Sequence, residues 1–215
     1  MTYEEWKKVV DGDGDFMKWQ TERDSARVKT VIDKSGSENY NGIRTKEELQ
    51  SVTQNVRESI SDYADNESKW SGKIRVDNLL SLDGVAGQKE WNCDITLIDS
   101  VDDGTVWHEM LHSCSVSHYD AKMYVDNQRI EEASVEFLKQ QICKEKLISS
   151  SSAYEDLTIV LQVLNDRFNF GTDMKFAKTL FNIPLPKRYE WLENLVDDIL
   201  RKENASFEDY NDVMA

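Results

Sequence analysis

Trp107-His108-Glu109-Met110-Leu111-His112-Ser113-Cys114 is the stretch on which the reading of this chain turns. Trp107, Met110, Leu111 and Cys114 recur at i, i+3, i+4 and i+7, the signature of one apolar helical stripe. At 100° per residue, His108 and His112 project roughly 100–140° away from Trp107. A helix here can bury its apolar side and turn two imidazoles, with the Glu109 carboxylate beside them, toward a cleft. Asp102-Asp103-Gly104 just upstream marks the switch from strand-like to helical periodicity.

Ahead of that switch the pattern alternates. In Lys73 to Asp77, Ile74 and Val76 share a side. From Trp91 to Ile98, Trp91, Cys93, Ile95 and Leu97 share one face and Asn92, Asp94 and Thr96 the other, which predicts strands. Gly84-Val85-Ala86-Gly87 reads as a turn before the second of these. Further upstream, Thr45 followed by Glu48 predicts a capping box opening a helix over about Glu47 to Ala64. Downstream, helices are expected over Asn127 to Leu147, Tyr154 to Phe168 and Met174 to Phe181. After the break at Ile183-Pro184-Leu185-Pro186, another is expected over Lys187 to Lys202. The expected class is α+β: a small, mostly antiparallel sheet, the histidine-bearing helix, then a helical C-terminal lobe. Residues 1–65 are expected to form a helical N-terminal extension and residues 66–215 the main domain.

The formal net charge of -15 argues against a nucleic-acid surface, which needs clustered Lys and Arg, and against anionic membranes. Cys93, Cys114 and Cys143 are widely spaced and odd in number, so free buried thiols are expected rather than a disulfide framework. The start, Met-Thr-Tyr-Glu-Glu-Trp, has neither a basic nor an apolar leader region, and no apolar run reaches membrane-spanning length. A cytoplasmic location is the expectation; oligomeric state is not legible. Asp11 to Asp15 has the look of a calcium loop, but Phe16 stands at the required Gly, so it is read as a turn.

The chemistry lies in His108-Glu109-Met110-Leu111-His112. Two imidazoles four residues apart on a helix face the same way, one turn apart, and can bind one ion. Zinc takes nitrogen and oxygen donors tetrahedrally, and a catalytic site leaves a position for water. Glu109 then stands beside that water as a general base. Such a site needs a third protein ligand.

Ile130-Glu131-Glu132-Ala133-Ser134-Val135-Glu136 gives the chain a resemblance to the gluzincins, the thermolysin-like metallopeptidases. The resemblance implies that Glu132, on a second helix, completes a Zn2+ site. It also implies that Glu136 hydrogen-bonds a ligand histidine from behind; Glu131 replaces the usual Asn. By periodicity alone, Glu132 and Glu136 also fit a solvated acidic face. The spacing of His118 from His112 is similar to that of the metzincins and makes His118 the alternative third ligand. Ser115 there replaces the Gly that lets the helix turn sharply. Tyr119 and Tyr124 are the candidate oxyanion donors, or else packing residues. The resemblance implies a zincin-like fold and a zinc peptidase acting on protein or peptide substrate, which it binds along an edge strand, with Trp91 to Ile98 in that place. The alternative is a non-catalytic zinc-containing module. More loosely, Val135-Glu136-Phe137-Leu138 and the stretch Leu185 to Leu192 look similar to small proteins of phages and mobile elements that carry the same His-Glu-x-x-His pattern.

Overall fold

The structure, a computed structural model, describes residues 42–115 and 121–203. His118, Tyr119 and the acidic Asp11 to Asp15 stretch lie outside the described residues. Helix α1 (Lys46–Ser59) opens on the expected capping box: Thr45 Oγ1 accepts from the Glu48 amide, and Glu48 Oε2 accepts from the Thr45 amide. It ends earlier than expected, passing into a 3-10 turn at Ile60–Asp62. Strands β1 (Ile74–Val76), β2 (Gly87–Lys89) and β3 (Ile95–Leu97) make a three-stranded sheet in the order β1-β3-β2. Helices α2 (Asp103–His112), α3 (Ala121–Lys146), α4 (Glu155–Phe168), α5 (Asp173–Asn182) and α6 (Arg188–Glu203) follow, so the class is α+β and mainly helical.

The sheet corrects two expectations. It is mixed rather than mostly antiparallel: β1 runs parallel to β3, and β2 antiparallel to it. The expected strand over Trp91 to Ile98 shrinks to Ile95–Leu97. Trp91 to Asp94 is instead the loop of a β2–β3 hairpin, closed by the Cys93 amide donating to the Glu90 carbonyl and the Glu90 amide to the Asp94 carbonyl. Asn92 Oδ1 accepts from the Asp94 amide, and Cys93 takes a left-handed φ of 64°. The local side-chain bond therefore wins over the apolar alternation. As the central strand, β3 is buried on both faces, and β2 rather than β3 forms an edge.

Gly87 belongs to β2 and not to a turn, and the reason it is Gly is steric. A Cβ there would come within 2.8 Å of Thr105 Cγ2 and 3.1 Å of Glu109 Cγ, so the bare backbone lets β2 lie directly on α2. α2 begins at Asp102, whose side chain caps the Thr105 amide at 2.6 Å. Its expected stripe is buried, Cys114 included. α3 is the central helix, packed by α2 on one side and by α4 and α5 on the others. It starts six residues before the expected Asn127. Leu49 and Val56 of α1 join Val106 and Leu111 of α2 and Phe137 of α3 in one hydrophobic core. All three cysteines are free and buried. No helix among the described residues is long and apolar enough to cross a membrane.

Candidate metal centre

α2 and α3 cross so that His108 and His112 of the first meet Glu132 of the second. His108 Nε2 and His112 Nε2 lie 3.1 Å apart. Glu132 Oε2 lies 3.4 Å from the former and 3.3 Å from the latter. All three residues are buried and form a group that can hold a metal ion. The fit can be checked by geometry: tetrahedral ligands at about 2.0–2.1 Å from an ion stand about 3.3–3.4 Å from one another. The two edges to Glu132 have that length, and the edge between the imidazoles, at 3.1 Å, is slightly shorter.

The far side of each imidazole is also engaged. His108 Nδ1 lies 3.0 Å from Glu136 Oε2, and His112 Nδ1 lies 3.1 Å from Glu131 Oε1. A carboxylate accepts the Nδ1 proton and leaves each Nε2 with its lone pair directed inward. Two lone pairs and a carboxylate oxygen then converge on one point, which only a cation or a proton can stabilise. The electrostatics agree. Burial alone would disfavour charged imidazoles, but Glu132 and Glu136 outweigh it around His108 and raise its pKa to about 9. Around His112, Glu132 and Glu131 outweigh burial and raise it to about 10. Burial likewise works against the carboxylates; Arg188 and His112 reverse it for Glu131, held at about 2. His108 and Lys139 do the same for Glu136, also about 2, and Glu132 is held well below the ordinary value by the two histidines against its burial.

Glu109, the residue after His108, is buried under β2. Its Oε2 accepts from the Lys89 amide at 2.7 Å, so the edge strand fixes the direction of the carboxylate. Tyr124 reaches the cluster: its hydroxyl donates to Glu132 Oε1 at 2.8 Å, and its ring meets Trp91 edge-on. The structure thus brings together His108, Glu109, His112, Tyr124, Glu132 and Glu136 of the expected set. The alternative of a solvated acidic face at Glu132 and Glu136 fails, because both are buried, as is Glu131.

Four contributors were not legible in advance. Glu131, read only as a replaced Asn, holds His112 and also accepts from Ser115 Oγ at 2.9 Å. Arg188 and Lys139 pair with the carboxylates behind the imidazoles. Tyr154, at the start of α4, stacks on the His108 ring with 6.0 Å between centroids. The one available signal was the Leu185 to Leu192 stretch, singled out by its pattern without any chemistry attached to Arg188. Compared with known proteins, the chain matches no protein-family model, no curated protein and no solved structure, which leaves the site's own geometry as the guide to function.

Proposed function

We propose that the chain is a zinc-dependent peptidase with a zincin-like arrangement, in which His108, His112 and Glu132 hold Zn2+ and Glu109 is the general base. The observation that carries the proposal is the convergence of two Nε2 atoms and one carboxylate oxygen, 3.1–3.4 Å apart, beside the helix that presents Glu109. Two imidazoles and a carboxylate suit zinc, and three protein ligands among the described residues, rather than four, suit a catalytic site. When bound, the ion supplies Lewis acidity, which acidifies water and polarises a carbonyl.

The chain's own groups do the rest. Glu109 takes a proton from the attacking water as its oxygen bonds to the scissile carbonyl carbon. The same carboxyl group then returns that proton to the amine nitrogen as the carbon–nitrogen bond breaks. The Lys89 amide holds the carboxylate in place throughout. An extended peptide pairing with the β2 edge would run past that carboxylate, as β-augmentation requires. Tyr124, whose hydroxyl already donates to the ligand glutamate, is the candidate donor to the developing oxyanion.

A second reading, a non-catalytic zinc-containing module, is favoured by one observation: His108, Glu109, His112 and Glu132 are all buried. Glu109→Gln separates the two. The peptidase proposal predicts that hydrolysis of a peptide library falls by a factor of at least about a hundred while zinc content is unchanged, in keeping with the loss of a general base. A wild-type protein that binds zinc and cleaves nothing would favour the module.

A further inference from the structure

Arg188 is the largest fully buried side chain among the described residues, at 0% exposed. It stands at the first position of α6, after the Pro184–Pro186 break, and every polar group of its guanidinium has a partner. Nε donates to the Ile183 carbonyl and NH2 to the Phe181 carbonyl, which ties it to the end of α5. NH1 donates to Ser134 Oγ and to Glu131 Oε2, both at 2.6 Å. The other oxygen of Glu131 is the one that meets His112 Nδ1. A cation from the C-terminal lobe thus reaches a ligand imidazole through one carboxylate.

Lys139 repeats the arrangement on the other histidine. Its ammonium, 2% exposed, lies 2.8 Å from Glu136 Oε1, while Glu136 Oε2 meets His108 Nδ1. Each carboxylate that orients an imidazole therefore has its own buried cation. A buried carboxylate without such a partner would lose the contact that fixes its direction and would leave its place. That would free the imidazole behind it to rotate.

Building on the metal site proposed above, we propose that Arg188 is a positioning residue for the metal centre. It holds Glu131 in place, aimed at His112 Nδ1, so that Nε2 is presented as the ligand atom. Lys139 does the same for His108 through Glu136. Helix α6 is then part of the metal centre, although Arg188 is not itself one of the proposed ligands.

The test is a double-mutant cycle in zinc affinity, measured by chelator competition on the full chain, with far-UV circular dichroism as a check of folding. Arg188→Met keeps the stem and removes the charge; Glu131→Gln keeps an acceptor for Nδ1. Arg188→Met should weaken zinc binding by about ten- to a hundred-fold, the range typical of groups that orient ligands. In the Glu131→Gln background the same change should cost less than about three-fold, because the carboxylate it serves is gone. Cobalt-substituted Arg188→Met should show a shifted visible spectrum. Equal losses in both backgrounds, or wild-type affinity in a folded Arg188→Met protein, would overturn the proposal. If Arg188→Met does not fold, Arg188→Lys carries the test: it retains the charge without the planar fork and should bind zinc with an intermediate loss, wild-type affinity counting against the proposal. If His112→Ala leaves zinc binding unchanged, the metal site itself is misassigned, an outcome distinct from a failure of Arg188 alone.

Discussion

Gly104→Ala perturbs the site from outside and has an outcome opposite to that expected from helix propensity. Gly104 lies in the first turn of α2, where Ala should be better by about 1 kcal/mol. The structure leaves no room for the methyl group. An ideal Cβ would stand 2.0 Å from Ser150 Oγ, 2.4 Å from Ser150 Cβ and 3.2 Å from Ser150 Cα. The hydroxyl can swing aside, but Cβ and Cα move only if the loop between α3 and α4 moves with them. That loop is tied down: the Ser151 amide and hydroxyl both donate to Asp102 Oδ2, at 3.0 and 2.8 Å, and Asp102 caps α2. Overpacking costs about 1–3 kcal/mol and a weakened cap about 1 kcal/mol more. After the propensity gain, the net loss is about 1–3 kcal/mol. For a chain of this size that lowers the melting temperature by roughly 2–10 °C, read in chelator-treated protein by thermal denaturation. Adding Ser150→Gly removes the clashing Cβ and Oγ. It should restore stability to within about 1 kcal/mol, the residue being the lost bond from Lys139 Nζ to Ser150 Oγ. Because Lys139 also holds Glu136, the single variant should lose some zinc affinity too. A Gly104→Ala protein as stable as wild type, or more so, would refute the packing described here.

Glu132→Ala should weaken zinc binding by more than the ten- to hundred-fold typical of residues that only orient ligands, and far more than His118→Ala does; titration of the two variants with zinc decides, and the reverse order would make His118 the third ligand. Acid should destabilise the metal-free protein in a defined window. Unfolded carboxylates bind protons near 4.5, whereas folded Glu131 and Glu136 hold them off until about 2. The unfolded chain thus binds more protons between those values, and stability present above 4.5 is lost as pH falls toward 2. Urea midpoints measured down this range should decline, and a flat profile would contradict the ionised pairs.

Much of this site could be read from local pattern because its chemistry is local. The i, i+4 spacing of His108 and His112, the Thr45/Glu48 capping box and the Trp107/Leu111 stripe each depend on residues within one or two helical turns. Most of what escaped depends on contacts distant in sequence. Acidic residues on a helix are ordinarily solvated, and Glu131 and Glu136 can be buried only because Arg188, on another helix, and Lys139 neutralise them. No periodicity of α3 announces the partner on α6. The sheet failed for a different reason. Gly87-Gln88-Lys89 has no apolar alternation, yet forms the edge strand because its bare backbone can lie on α2. Trp91 to Ile98 has clear alternation, yet turns at Asn92 and Cys93, where side-chain-to-backbone bonding offers the chain a tighter path.

If His108, His112 and Glu132 surround a metal ion, elemental analysis of the full chain purified without chelator will find it. About one equivalent of zinc per chain is expected, lost on His108→Ala or His112→Ala, because the ligand set is already assembled by the fold. Less than about a tenth of an equivalent, with no uptake when zinc is supplied, would contradict it.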